Sequence, residues 1–228
     1  MTEAVSDQAL LRLLAWTSPA FPIGAFSYSH GLEYAIEEGL VRDAETLTIW
    51  IEGLLAFGSA SQDAALFVEA FGQTRAKDWA RLEELSLWAN ALRPTSELAL
   101  EAQQQGGSFL DAVASAWGGV EHLPLAKPVS LVVAFGAVTA LFEVSSKAAL
   151  QGYLHSFVAN LISAAVRAIP LGQTDGIRAL AALEPAIVGL TQTALGRALG
   201  DPLPGTAALV NDWCSAAHET QYSRLFRS

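Results

Sequence analysis

Basic residues are scarce in this chain. Lys and Arg number 13 against 23 Asp and Glu in 228 residues, which sets the net charge at −10. A surface of that sign repels phosphate, which argues against a nucleic-acid partner. It disfavours anionic membrane surfaces for the same reason. Cysteine is almost absent: Cys214 stands alone, so an intrachain disulfide and every multi-cysteine zinc site within one chain are excluded. A single cysteine fits a reducing compartment, and the expected location is cytoplasmic. Long apolar runs are missing too. The longest, Val129 to Val144, has 16 residues and contains Gly136 and Glu143, whereas a spanning helix wants about 20. It reads as a buried core helix, and no membrane partner is expected. The opening MTEAVSDQALLRLLAW carries acid where a secretory signal needs base, and no cleavage site follows.

Catalytic signatures are lacking as well. No Gly precedes a Lys, which removes the phosphate-cradling P-loop. Neither G-x-G-x-x-G nor the G-x-S-x-G elbow occurs. After His218-Glu219 the chain continues Thr220, Gln221, Tyr222, so the H-E-x-x-H zinc motif fails. The acidic pairs Glu37-Glu38 and Glu83-Glu84 read as solvated helix faces. No catalytic residue, no cofactor and no cofactor-binding residue are expected. Among the four histidines, His155 sits in an apolar helix and reads as a core residue. Cys214 and His218, four apart, share a helical face and are weak metal candidates. Two ligands do not close a site, and the expected metal assignment is none.

What is present is helix. Apolar residues make up 52% of the chain and charged residues 16%, which excludes disorder and allows a full core without staples. Ala and Leu dominate, and both favour helices. Ser6 or Asp7 can cap a helix bearing Leu10, Leu11, Leu13, Leu14 and Trp16 at a period near 3.6. Pro19 and Pro22 then force an extended segment. A second helix runs from near Ser27 to Gly39. A third, capped by Asp43, places Leu47, Trp50, Ile51, Leu54 and Leu55 on one face. Gly58-Ser59 precedes a fourth, with Leu66, Phe67, Ala70 and Phe71. A charged helix spans about Arg75 to Arg93. The next starts at Thr95 or Ser96 and stops at Gly106-Gly107, and Ser108 opens another. Two very apolar central helices, about Ser130 to Phe142 and Lys147 to Ile169, follow a linker bounded by Pro124 and Pro128. A helix near Ile177 to Leu199 should kink at Pro185, and a last one covers about Thr206 to Gln221. The fold expectation is an all-α, single-domain bundle of about ten helices over residues 1–228.

Two segments exceed helical filler. Ser18 to Glu33 packs two prolines, two glycines and three aromatics into a loop-to-helix junction, a stiff surface that loses little entropy on binding. Its Pro19, Phe21, Pro22, Phe26, Tyr28 and His30 are candidate partner-binding residues. His218 to Ser228 interleaves Tyr222, Leu225 and Phe226 with Arg224 and Arg227 in an acidic chain. Aromatic and Arg side chains are those that interface hot spots use, so these five and His218 complete the candidate set. Residues 222–228 are expected to be a mobile tail that orders on a partner.

The run Ser18-Pro-Ala-Phe-Pro-Ile-Gly-Ala-Phe-Ser-Tyr-Ser-His-Gly-Leu-Glu33 resembles the N-terminal signature of the urease accessory protein UreF family. Ala164-Ala-Val-Arg-Ala-Ile-Pro-Leu-Gly-Gln-Thr-Asp-Gly176 is similar to its central signature, and His218 to Ser228 to its tail. The three stand in the family's order and span nearly the whole chain. Ala25 occupies a position where many members carry Gly. The resemblance implies an all-α, non-catalytic cytoplasmic protein that helps load nickel into apo-urease. It implies binding to UreD (called UreH in some systems) and to the GTPase UreG in a pre-activation complex with apo-urease. It also implies a homodimer. UreD is the expected partner of the tail. Two rivals are an activator supplying an arginine finger to the GTPase and a nickel carrier in its own right; an unrelated enzyme is a third reading that the absent motifs disfavour.

Overall fold

The computed structural model describes residues 6–228. The acidic opening residues that argue against a secretory signal begin within 1–5, outside the described residues. Among the described residues there are ten α-helices and no strand. They are α1 (Asp7–Trp16), α2 (Leu32–Glu37), α3 (Ala44–Phe57), α4 (Ser59–Ala76), α5 (Trp79–Ala91), α6 (Ser96–Ala116), α7 (Leu131–Leu141), α8 (Ser146–Ala168), α9 (Gln173–Leu195) and α10 (Leu209–His218). A short 3₁₀ turn, Ala25–Ser27, precedes α2. Among the described residues no helix is long and apolar enough to cross a membrane.

Local chemistry sets the helix starts. Ser6 Oγ accepts from Ala9 N at 3.2 Å and opens α1. Asp43 and Thr46 form a reciprocal capping box on α3. Asp78 and Thr95 accept from the third residue of α5 and α6 respectively. Within α1 only Ala9, Leu13 and Trp16 are buried; Leu10, Leu11 and Leu14 face outward. Trp16 makes edge contacts with Phe109, Trp117 and Phe142, which fasten α1 to the body.

α7 is central, as its composition requires: every residue from Val132 to Ala140 is buried. α8 packs on α9 and α7 through one face, with Leu150, Leu154, Val158 and Leu161 inside. His155 lies on the opposite face and is exposed, contrary to the expectation of a core histidine. The helix is rich in Ala and Ser, whose small side chains mark no strong face, so overall apolarity does not settle which residues are covered. The helix that lies most extensively against α7 is α4, although Gln62, Asp63, Glu69, Gln73 and Thr74 sit buried along it. Each finds a partner. Gln62 Nε2 donates to Pro204 O at 3.1 Å, and Glu69 accepts from Gly200 N at 2.6 Å and from Gln73 Nε2 at 3.2 Å. Thr74 Oγ1 donates to Ala70 O at 2.8 Å. Asp63 takes Arg93 Nη2 at 2.7 Å and the Tyr153 hydroxyl at 2.6 Å. Buried polar groups are tolerated when hydrogen-bonded, so α4 runs through the interior despite its composition.

The expected stop at Gly106-Gly107 is not one, because α6 continues unbroken to Ala116. The glycines serve close approach instead. A Cβ on Gly106 would stand 2.1 Å from Val129 O and 2.6 Å from Leu131 N, so the strand of chain entering α7 lies directly on the α6 backbone. Likewise the charged stretch is two elements: Lys77, at φ 58°, ends α4, and Asp78 restarts the chain as α5. α9 begins at Gln173, ahead of the expected start, and includes Pro185.

Gly106→Ala should therefore destabilise the protein by about 1–3 kcal/mol, the usual cost of overpacking a well-filled contact, although alanine is the better helix former. Chemical denaturation measures it; an unchanged or raised midpoint would refute the close-approach role.

Candidate functional site

The two segments singled out in the sequence meet in space. The 3₁₀ turn leads into Tyr28, Ser29 and His30, and His30 adopts φ 59° before Gly31 at φ 79°. These left-handed residues turn the chain sharply into α2. Gly31 also needs its missing side chain: a Cβ there would lie 3.0 Å from Ser215 N on α10. α10 consequently packs flush on α2, with Asn211 Nδ2 donating to His30 O at 3.0 Å. The residues after α10 then fold back along the N-terminal segment. Arg227 N donates to Ser27 O at 2.8 Å, and Ser29 N donates to Ser228 O at 3.0 Å. The Ser29 hydroxyl donates to that same oxygen.

Three carboxylates organise this junction. Glu33, on α2, accepts from Leu225 N at 2.7 Å and Phe226 N at 2.9 Å. Its Oε2 also lies 3.1 Å from His218 Nε2. Glu97, on α6, faces His218 Nδ1 at 2.6 Å and takes Arg224 Nη1 at 2.8 Å. One turn further along α6, Glu101 takes the Ser228 hydroxyl at 2.7 Å, faces His30 Nδ1 at 3.3 Å and accepts from Gln105 at 3.3 Å. The other ring nitrogen of His30 lies 2.6 Å from Ser59 Oγ. Burial pushes the Glu101 carboxyl up, yet the adjacent His30, the hydrogen bonds from His30 and Ser228, and the Arg93 charge together hold it below the usual range. On the outer side Arg167, from α8, lies between two rings. Its guanidinium is 3.6 Å from the Phe26 ring centre and 4.5 Å from that of Phe226. Arg227 stands 5.5 Å over Tyr28.

The tail at 222–228 is thus held against the body, where the sequence suggests a mobile one. Phe226 and Ser228 are buried, because the backbone N–H groups of Leu225 and Phe226 satisfy the Glu33 carboxylate and the Ser228 hydroxyl satisfies that of Glu101, which would otherwise be buried with fewer donors. The candidate partner-binding residues divide accordingly. Tyr28, His30, His218 and Phe226 are interior and build the junction. Phe21 is half-buried against Phe109 and Trp117. Pro19, Pro22, Phe26, Tyr222, Arg224, Leu225 and Arg227 are exposed. Glu97, Glu101 and Arg167 are additions that sequence reasoning passed over. The four-residue spacing of Glu97 and Glu101 was a signal, but one equally suited to a solvated face.

The weak metal pair dissolves. Both His218 nitrogens face carboxylates, which leaves neither for an ion. Cys214 is fully buried, and burial, with a smaller effect of Glu38, pushes its thiol up to about 11. Among the described residues no group of three or more His, Cys, Asp and Glu side chains could hold a metal ion.

Two outcomes follow from these ionisations. A carboxyl held below its unfolded value of about 4.5 adds stability that is fully present above that pH and is lost as pH falls through the folded value. Glu101→Gln should therefore flatten the acid limb of stability measured by denaturant titration from about pH 6 to 3. An acid limb identical to that of the parent would refute this. Cys214 should resist iodoacetamide at about pH 8 in the folded protein and react on unfolding, since the thiolate is the nucleophile. Rapid alkylation of folded protein would contradict its burial.

The family model described as UreF matches residues 41–184. The chain is 44% identical to a urease accessory protein UreF of Magnetococcus marinus, with 98% of this chain and 99% of the relative aligned. It is 43% identical to that of Granulibacter bethesdensis, over 100% and 97% of the two chains. With the protein of the same name from a Bradyrhizobium species it shares 46% identity, over 96% and 92%. With the family model covering more than half of the sequence and such relatives aligned end to end, the chain belongs to the UreF family of urease accessory proteins.

Proposed function

We propose that this protein is a non-catalytic accessory component of urease maturation, one that binds UreD (or UreH) and the GTPase UreG to help assemble the nickel centre of apo-urease. In this reading it works in the cytoplasm as a homodimer, and the nucleotide chemistry belongs to the GTPase, since this chain carries no P-loop. The observation that carries the reading is the composite surface made by the two ends of the family signature. Phe26 is 65% exposed, Leu225 73% and Tyr222 fully so, and Arg224 and Arg227 lie among them. Exposed aromatic, Leu and Arg side chains on an ordered base are what hot spots require. The base is held because Glu33 takes the backbone N–H groups of Leu225 and Phe226, Glu97 the Arg224 side chain and Glu101 the Ser228 hydroxyl, so little ordering entropy is lost on association. UreD is the partner we assign to this surface.

The double substitution Tyr222→Ala, Leu225→Ala removes two outward side chains and should leave the melting temperature nearly unchanged. It should weaken capture of UreD by about tenfold or more, the scale on which hot-spot truncations act. Phe226→Ala, by contrast, empties a buried position and should cost about 3 kcal/mol of stability. Pull-downs against UreD, paired with thermal melts, separate the two effects. Undiminished capture by the double variant would remove this surface from the UreD interface.

A further inference from the structure

In so acidic a chain most arginines find a carboxylate. Arg42, Arg75, Arg81, Arg93, Arg178 and Arg224 each stand between 2.6 and 3.8 Å from one. Arg197 is held by the Pro202 carbonyl at 2.6 Å, and Arg12 lies over a single ring, that of Phe142, at 4.6 Å. Arg167 differs from all of these. Its Cζ lies over two rings, one from each end of the chain, and no carboxylate among the described residues pairs with it.

The group is exposed, in the last turn of α8, and is held from two directions. Its Nε donates to Ser163 O at 3.1 Å, one turn back. The rings of Phe26 and Phe226, 3.6 and 4.5 Å away, restrict its tilt. The terminal nitrogens Nη1 and Nη2 have no acceptor among the described residues. Burial pushes the guanidinium down from its ordinary value, and no carboxylate stands close enough to oppose that shift. A partly desolvated cation gains more from an acceptor than a fully solvated one, because the attraction is less screened.

Shape and charge select the acceptor. With Nε engaged and rings against the group, the fork of Nη1 and Nη2 is what an incoming ligand meets. Two N–H bonds in one plane complement the two oxygens of a carboxylate. A nucleic acid would bring a row of phosphates against a chain of net charge −10 and be repelled by it. A backbone carbonyl offers one oxygen where the fork can serve two. Phe26, 65% exposed, adds apolar surface beside the fork.

We propose that Arg167 is the anion-binding anchor of this surface and takes an Asp or Glu side chain of the partner through its Nη1 and Nη2 groups. The partner segment lying over Phe26 then carries an acid among apolar residues. This inference rests on the binding role proposed above for the surface, and it adds the chemistry that the partner must present.

The experiment is capture of UreD by the full chain at low salt and at about 0.5 M salt, where exposed charges are largely screened. At low salt Arg167→Gln should weaken capture about tenfold, the scale of hydrogen bonds to a charged group. The deficit should shrink at high salt. Arg167→Lys keeps the charge without the planar fork and should also weaken capture at low salt. Amide hydrogen exchange at Ser29 and Arg227, whose N–H groups bond across the junction, should match the parent in both variants. The Tyr222→Ala, Leu225→Ala protein runs alongside. If it loses capture while Arg167→Gln does not, the anchor is wrong and the surface stands. Undiminished capture by both removes the anchor and the surface together. Capture by Arg167→Lys equal to that of the parent, a deficit indifferent to salt, or faster exchange at Ser29 and Arg227 in step with lost capture would each overturn the anchor.

Discussion

A carboxylate shut into an apolar interior must find donors, and Glu33 and Glu101 find theirs at the far end of the chain. The donors of Leu225 and Phe226 lie 192 and 193 residues from Glu33 in sequence. The Ser228 hydroxyl lies 127 residues from Glu101. These are charge-assisted bonds, shorter and stronger than neutral ones, and they sit where water cannot substitute for them. The consequence runs in both directions. The tail stays on the body because the acids hold it, and the acids are tolerated in the interior because the tail neutralises their demand for donors.

Other features rest on that closure. α10 lies on α2 through the bare backbone of Gly31, and this brings His218 between Glu33 and Glu97. Arg167 then reaches two rings that belong to opposite ends of the chain, Phe26 and Phe226. The 3₁₀ turn, the tail and α8 are tied into one unit. The loop from Ser18 to Phe26 also roofs a cavity of about 210 Å³ lined on its inner side by the Asp63–Arg93–Tyr153 cluster. A buried pair of this kind contributes little net stability, but removing one partner leaves an uncompensated charge and is costly. The cluster therefore acts as a strict constraint on how α4, α8 and the α5–α6 connection meet.

Much of the helical layout was legible in the sequence because it is local. Ser6, Asp43 and Thr95 announce helix starts through side chains that bond three residues ahead, and α7 announces its burial through near-total apolarity. The misreadings concern residues whose role is set at long range. Gly106-Gly107 signals a stop by backbone freedom, yet it serves contact with the Val129–Leu131 segment. For α4 the sequence marks only Leu66, Phe67, Ala70 and Phe71; the partners that let Gln62, Asp63 and Glu69 be buried as well are distant in sequence, beyond the reach of any spacing rule. His155 fails for the opposite reason, being an exposed residue in a helix whose apolar composition hides its two faces. The proposed interaction site was half legible. Its aromatic and basic residues stood out, while the carboxylates that decide which of them face outward did not.

That division bears on the binding role proposed for this surface. A mobile tail would lose conformational entropy on binding and have to recover it from new contacts. Here the tail is already ordered, and its residues split between the two sides. Phe226 and Ser228 point in, and Tyr222 and Leu225 remain out. The inward residues fix the backbone and the outward ones are displayed by it, so in the proposed binding role the energy from Tyr222 and Leu225 would not be spent on folding the segment that carries them. The same coupling makes the surface sensitive to events beneath it. Loss of a buried donor to Glu33 or Glu101 would loosen the display without touching an exposed residue, which ties the presentation of the surface to the interior electrostatics of the fold.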